Sequence, residues 1–527
     1  MKSILILGAS LMQGPAIRIA KAKGYRVYAA DGNADAVHAK DADVFLHIDL
    51  KDKEALAKAA ADIDGLQGVF TAGTDFSASV AWVAEALGLP GLPYQVALDA
   101  SDKARMRERL KLAGVPVPAY AFGTIVDDPH AIAASVAPLP LVVKPVDNMG
   151  ARGCRLARTD SELKEAWIDA IANSRSGRAI IEAYLEGPEF SIDALVTDGQ
   201  VTLRGLADRL VVFEPFFVEM GHTMPSAYDH EVLDDVVAVF KAGVQALGIR
   251  NGAAKGDIKY TRQGAFVGEI AARLSGGYMS GWTYPYASGI EVTAEAIDIA
   301  CGLTPIFSEP AHQLVCAERA WISIPGRVDR VYGLLEASGH DYIQDVFSRA
   351  VEGSRVVFPC NNVQKCGNVL ALAPSYKLAE EAAESVARSI LLRLTPGDPE
   401  TQAFLDGSSS VVGPDGSSWP PEAYAGLSAM SLSSLCKMPD MLRVTDGSVS
   451  CSIAPLRGTE TEYICDWQGR SIAGALDAIA TMTGVSIGLH GDTVFGALFW
   501  RALLRGGYQA GAWVIDSVQT GKMAGLR

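Results

Sequence analysis

The sequence predicts a multidomain protein of mixed α/β and α+β class that opens with a doubly wound α/β domain. Three observations lead there. The chain has 527 residues, more than one hydrophobic core organises. Its first part alternates short apolar strands with helices, the pattern of a parallel sheet covered on both faces. From Glu189 onward the pattern turns β-rich, and a Ser/Gly/Pro-rich stretch over 407–421 sets off a last segment of different patterning.

The elements follow in order. Ser3–Leu7 is a continuous apolar run, as in a buried parallel strand. A turn spans Gly8 to Gly14, Pro15–Lys23 reads as a helix with Pro in its first turn, and Tyr25–Ala30 is a second strand ending at Asp31. Val44–Ile48, Lys51–Asp62, Gly68–Phe70 and Phe76–Leu87 continue the alternation, giving a domain over 1–95. Ser10 stands where a dinucleotide fingerprint needs its second glycine, so the first turn reads as a tight strand-to-helix connection. Ser101–Ala113 is a helix capped by Ser101 or Asp102. Tyr120 to Leu185 alternates strand and helix around a Gly-rich turn. Strands follow near Phe190–Val196 and Val201–Leu206, then a helix Glu231–Leu247, a hairpin of Gly252–Tyr260 and Ala265–Ile270, and a helix Lys377–Arg393. The expected divisions are 1–95, 96–310 with a subdomain at roughly 119–186, 311–398, a linker 399–421 and an appended domain 422–527.

Charge and composition exclude several classes. A net charge of −15 with pI about 5.1 opposes a nucleic-acid or anionic-membrane surface, which needs clustered cations. The first residues lack the cationic start and long apolar run of a signal peptide, and no apolar stretch reaches the roughly 20 residues of a membrane span. Eight cysteines in so long a chain do not form a disulfide framework, which points to a reducing, cytoplasmic setting. Cys436, Cys451 and Cys465 lack the C-x-x-C spacing of a zinc site.

The middle of the chain carries the groups phosphoryl transfer needs: cations and backbone amides for phosphates, and carboxylates for a metal. Lys103 opens a helix. Lys144 ends the apolar strand Leu139–Pro145, where a charge must face a cleft or a partner. Gly150 and Gly153 follow it, spaced so that the backbone can approach a phosphate closely. Glu182 and Glu189 flank a short linker between two strands, suited to offering backbone groups to an adenine edge. Asp257 and Glu269 sit on neighbouring strands of the hairpin, where two facing carboxylates repel unless a cation lies between them; Mg²⁺ with substrate phosphates is the natural occupant. Arg273 follows Glu269 by four residues, placed to hold a phosphate or carboxylate.

In this order, Ser101-Asp-Lys103, Val143-Lys-Pro145 with its Gly-loop, Glu182-Ala-Tyr-Leu185 with Gly187-Pro-Glu189, and Gly268-Glu-Ile-x-x-Arg273 resemble the ATP-grasp superfamily over roughly residues 1–395. Ala207-Asp-Arg209 and Phe216–Pro225 look most like its carboxylate–amine (amino-acid) ligases. The resemblance implies an ATP-grasp core whose lid subdomain covers roughly 119–186, a closing subdomain and an additional C-terminal domain. It implies that Lys103 and Lys144 contact ATP phosphates, that Gly150 and Gly153 lie in the lid loop, that Glu182, Tyr184 and Leu185 border the adenine, and that Glu189 binds the ribose. Asp257 and Glu269 would bind Mg²⁺ (or Mn²⁺). Arg273 would stabilise an acyl phosphate, with Glu219 and His222 near the γ-phosphate or substrate. The family often has Asn where this chain has Ala271, removing a second-metal ligand; some carboxylating members share the alanine.

The expected activity is an ADP-forming ligation: a small carboxylate is phosphorylated by Mg-ATP and the acyl phosphate is captured by an amine, an amino acid being the expected one. The expected partners are those small molecules, with a homodimer as the assembly and neither nucleic acid nor membrane. Two alternatives stand beside it: an ATP- and bicarbonate-dependent carboxylase of the same fold, and a nucleotide-binding regulatory module.

Overall fold

The structure, a computed structural model, describes residues 1–407, 419–427, 433, 448–450, 462–488 and 496–522. Cys436, Cys451 and the turn Leu489–Asp492 lie outside them. The chain forms two compact units. One comprises Met1–Glu318 with Leu372–Ala379, the other Arg319–Ala371 with Glu380–Arg527.

The first unit opens with four parallel strands in the order Val44–His47, Arg26–Asp31, Ser3–Leu7, Leu66–Phe70. Ile4 to Leu7 are wholly buried, as the unbroken apolar run demands. The turn after them is closed by the chain itself. Gly8 has a φ of +101°, and a Cβ there would lie 2.8 Å from the Gln13 side chain. Ser10 Oγ donates to Gln13 Oε1 at 2.6 Å, while the Asp31 carboxylate accepts from the amides of Ala9 and Asn33. Gln13 thus fills the space beside Gly8.

A separate antiparallel sheet runs Tyr120–Thr124, Arg178–Ala183, Leu141–Pro145, Arg155–Ala157. The helix Asp160–Ala172 starts at a Thr159/Glu162 capping box and lays Leu163, Ala166, Trp167 and Ala170 on Leu141, Val143 and Ile181 of this sheet.

Five antiparallel strands of the unit's central sheet follow one another in the order Gly264–Ala271, Gly252–Thr261, Glu189–Thr197, Gln200–Val212, Val218–Met224. Helices Lys103–Leu112 and His230–Ala246 share a core with it: Met106, Leu110, Phe240 and Val244 meet Phe190, Ile258, Val267 and Ile270. The single helix expected over 101–113 is two, Tyr94–Ser101 and Lys103–Leu112. Asp102 adopts extended dihedrals between them and accepts from the Arg105 amide at 3.0 Å, so it caps the second. That cap sets Lys103 at the first position of a helix.

In the second unit Gly326–Tyr332 lies between Arg355–Val356 and Leu391–Leu394, and Ile343–Ser348 pairs antiparallel with residues 367–371. The helix expected over Lys377–Arg393 is Tyr376–Ser389. Leu391–Leu394 instead pairs with Gly326–Tyr332, since a short apolar run takes whichever state lets it bury its side chains. The helix Ala497–Gln519, kinked at Gly506 and Gly507, packs Ala510, Trp513 and Val514 against Trp321, Ile324, Leu392 and Leu394. Arg393 forms a two-pronged ion pair with Asp516 at 2.8 and 2.7 Å, and Trp513 Nε1 donates to Thr395 O at 2.9 Å. Among the described residues no helix is long and apolar enough to cross a membrane.

Candidate active site

Lys144 leaves the apolar strand Leu141–Pro145 beside Glu182 of the neighbouring strand, and its Nζ lies 2.7 Å from Glu182 Oε2. The other oxygen of Glu182 accepts from Arg107 Nε at 2.8 Å. Arg107 is wholly buried and also donates to Gly268 O at 2.7 Å. Burial pushes the Glu182 carboxyl up, but Arg107 and Lys144 outweigh it and hold it below the usual carboxylate range. One residue of the helix thereby ties the sheet bearing Lys144 to the strand that bears Glu269.

A second cluster has the opposite make. Arg209 is surrounded by Glu189, Glu219 and Asp257: Nη2 donates to Glu219 at 2.8 Å, Nη1 lies 3.0 Å from Asp257 Oδ1, and Glu189 pairs with Nη1. Burial pulls the guanidinium down, but these three carboxylates push it well above its usual value. Lys255 pairs with the second oxygen of Asp257, and Lys259 Nζ stands 3.7 Å from Glu189.

Asp257 and Glu269 are direct partners across the hairpin. They are hard oxygen donors facing each other, and Asp257 Oδ1 is buried without a hydrogen bond although Arg209 is near. That donor pair fits Mg²⁺ taking its remaining ligands from phosphate and water. No cluster of three or more His, Cys, Asp or Glu suited to a metal occurs among the described residues.

Lys103 joins the two parts. Its Nζ donates to Asn148 O, in the loop after Lys144, at 2.8 Å and lies 3.5 Å from Glu269 Oε2. Burial pushes the Glu269 carboxyl up, but Lys103, Lys255, Lys144 and Arg273 together bring it down to about 2. Arg273 is buried, and burial lowers its guanidinium despite Glu269, Asp193 and Asp257. Glu269, Ala271 and Arg273 line a cavity of about 420 Å³ with Lys103, Asn148 and Met149. The loop that follows Lys144 carries Gly150, Ala151 and Gly153 at φ of +69°, +61° and +69°. A Cβ on Gly153 would lie 2.7 Å from that of Asn173, so the loop's path requires glycine there.

The remaining expected residues fall as follows. Tyr184 and Leu185 follow the strand Arg178–Ala183, with Tyr184 OH donating to Glu214 at 3.1 Å. Glu189 and Glu219 belong to the Arg209 cluster. His222 is opposite Arg209 in register but buried, its Nε2 2.8 Å from Thr283 Oγ1 and its Nδ1 3.4 Å from Glu318. The sequence reading assigned no role to Arg107 or Lys255. Arg107 lies one helical turn after Lys103, which is the signal that could have marked it. The pairing of Lys255 depends on strand register and left no local mark.

The chain is similar to known proteins over much of its length. Residues 137–281 match the ATP-grasp domain, and residues 320–395 match the L-amino acid ligase C-terminal domain 2. The chain is 26% identical over 335 residues to the uncharacterized protein y4rH of Sinorhizobium fredii, covering 63% of this chain and 69% of that one. It is 24% identical over 340 residues to carnosine synthase 1 of Mus musculus, covering 59% of this chain and 41% of the relative. The crystal structure of an L-amino acid ligase from Bacillus licheniformis superposes with a TM-score of 0.67 at 21% identity, over 75% of this chain and 99% of that one, and so shares its fold. Residues 137–281 thus match an ATP-grasp domain, and the chain as a whole is most similar to ATP-grasp carboxylate–amine ligases.

Proposed function

We propose that this protein is an ADP-forming ligase that activates a small carboxylate with Mg-ATP and couples it to an amine, an amino acid being the intended class. The observation that carries the reading is the convergence of Lys103, Glu269 and Arg273 on one cavity beside the Gly150/Gly153 loop, with Asp257 facing Glu269. A carboxylate oxygen attacks the γ-phosphorus and the bond to ADP breaks. The amine nitrogen then attacks the acyl carbon, inorganic phosphate leaves, and the nitrogen loses a proton. Lys103 and Lys144 hold phosphate oxygens, and Arg273 balances the charge of the acyl phosphate. The Gly-loop keeps water from an intermediate that would otherwise hydrolyse. The strand-to-strand linker at Tyr184 and Leu185 borders the adenine and Glu189 the ribose. Mg²⁺, with Mn²⁺ as a substitute, supplies charge neutralisation between phosphates when held by Asp257 and Glu269.

The test is a phosphate-release screen over pairs of amino acids and other small carboxylates, with mass detection of the amide. Release without an amide in every pair would sink the reading. Ala271 on the cavity wall favours one second reading, a bicarbonate-dependent carboxylase. Bicarbonate-dependent ADP formation in the absence of any amino acid would decide for it.

A further inference from the structure

The cavity beside Glu269 has a second wall, and that wall is built from the N-terminal domain. Lys51, Lys53 and Tyr94 line it, together with Phe76–Ser79. Six cationic side chains face the cavity against four carboxylates, and the carboxylates are all engaged. Asp75 pairs with Arg175, Asp102 caps its helix and pairs with Arg178, Asp147 accepts from Ser174 and Ser176, and Glu269 lies beside Lys103. Among the cations, Arg105 is taken up by Asp99 at 2.5 Å. Three are left over. Arg273, 8% exposed, has no carboxylate within ion-pair distance among the described residues, and its Nη1 donates only to its neighbour Leu274 O. Lys51 has no ion pair among the described residues, and Lys53 has only Glu54 at 4.0 Å.

Lys53 is nevertheless held in place. Its Nζ donates to Tyr94 OH at 2.7 Å and sits 4.0 Å from the ring centroid of Trp82 and 4.5 Å from that of Tyr94. Two aromatic faces fix an ammonium without neutralising it. Beside it the helix Ser77–Ala86 begins at the cavity with no side chain capping its first amides, and Ser79 Oγ ties it to Leu50 O at 2.7 Å. Free helix amides and a fixed ammonium group together make a site for an anion. The unpaired Arg273 on the sheet wall makes another in the same cavity.

We propose, building on the ligase reading, that the acid activated here carries two anionic groups. One is the carboxylate that is phosphorylated, facing Arg273. The other is received by Lys51, Lys53 and the first turn of the Ser77–Ala86 helix. A cavity of about 420 Å³ suits an acid of amino-acid size. The shared chemistry is a second anion, either a carboxylate or a phosphate ester.

The experiment uses the full chain with Mg-ATP, a common amine such as alanine, and matched donor pairs: glutamate with glutamine, aspartate with asparagine, O-phosphoserine with serine. The member with two anionic groups is expected to exceed its counterpart without the second anion by about 100-fold in kcat/KM, because a site built for an anion is left unpaired by the neutral group. The first two pairs against the third distinguish a carboxylate from a phosphate. In the Lys51→Gln/Lys53→Gln double variant the preference disappears and KM for the acid rises while KM for ATP holds. Equal turnover of both members of every pair overturns the proposal. So does a double variant whose KM rises for ATP instead of the acid. If no acid of any kind releases phosphate, the ligase reading itself has failed, and calorimetric titration of glutarate and O-phosphoserine into the chain with MgADP still decides the site. Binding that the double variant loses supports it; no binding overturns it.

Discussion

The two charge clusters of the ATP-grasp unit are mirror images. In one, a single carboxylate, Glu182, stands between two cations, Arg107 and Lys144. In the other, a single guanidinium, Arg209, stands among three carboxylates, Glu189, Glu219 and Asp257. The first leaves surplus positive charge at the end of the Lys144 strand, where the proposed function puts phosphate oxygens. The second gathers negative charge where the proposed function puts a divalent cation. In each, the buried central residue is kept ionised by its surroundings against burial. A site for Mg-ATP needs both signs of charge within a short reach. Here each sign is concentrated around one ion of the other sign, which keeps like charges from repelling before the ligand arrives.

The sharpest way to break this picture is Arg209→Met. Three carboxylates then lose their common cation, and the expected cost is roughly 3–5 kcal/mol in denaturant unfolding at neutral pH. An unfolding midpoint equal to that of the parent at pH 7 would show that Arg209 does not hold the cluster.

Lys144→Ala tests the opposite cluster. Turnover should fall about 100-fold or more with KM for ATP raised, as for other lost phosphate-binding cations. The circular dichroism spectrum should be unchanged, since Arg107 still pairs Glu182. Near-normal turnover would remove Lys144 from the phosphate site.

The pH dependence of stability should expose Glu269. Its folded-state pKa of about 2 lies below the unfolded value, so its contribution is complete above about 4.3 and is lost as pH falls towards 2. That contribution is on the order of 2–3 kcal/mol. Urea titrations between pH 6 and 2.5 should therefore fall less steeply in Glu269→Gln than in the parent; parallel curves would contradict the assignment. The smallest effect concerns the metal. Asp257→Asn should regain most of its turnover at high Mg²⁺, since phosphate and water still ligate the ion, whereas Glu269→Gln should not. The reverse order of rescue would exchange the roles of the two carboxylates.

Much of this was legible in the sequence because it is local. The unbroken run Ser3–Leu7, the hairpin that sets Asp257 opposite Glu269, and the Asp102 cap that fixes Lys103 all follow from periodicity and capping chemistry. The order of Lys103, Lys144, Glu182 and Glu269 carried the family. The charge clusters were not legible. Arg107 meets Glu182 75 residues away, and only the packing of its helix against the sheet brings them together. The second cavity wall draws on Lys51, Phe76 and Tyr94, whose local context is that of ordinary helix starts. The strand Leu391–Leu394 was hidden because its partner, Gly326–Tyr332, is remote in sequence and only that pairing excludes a longer helix.

The last helix has a consequence for how the molecule is made. Trp513 and Val514 fill the same core as Trp321, Leu392 and Leu394. On a translating ribosome those earlier strands emerge well before the helix that covers them. At about 5–20 residues per second the wait is roughly 6–25 seconds, long enough for the exposed apolar surface to meet other chains. The ATP-grasp residues have by then been released and have their full core to hand. Synthesis therefore delivers the nucleotide-binding unit before the helix that completes the second, and a ribosome stalled between them would yield a protein with one finished half.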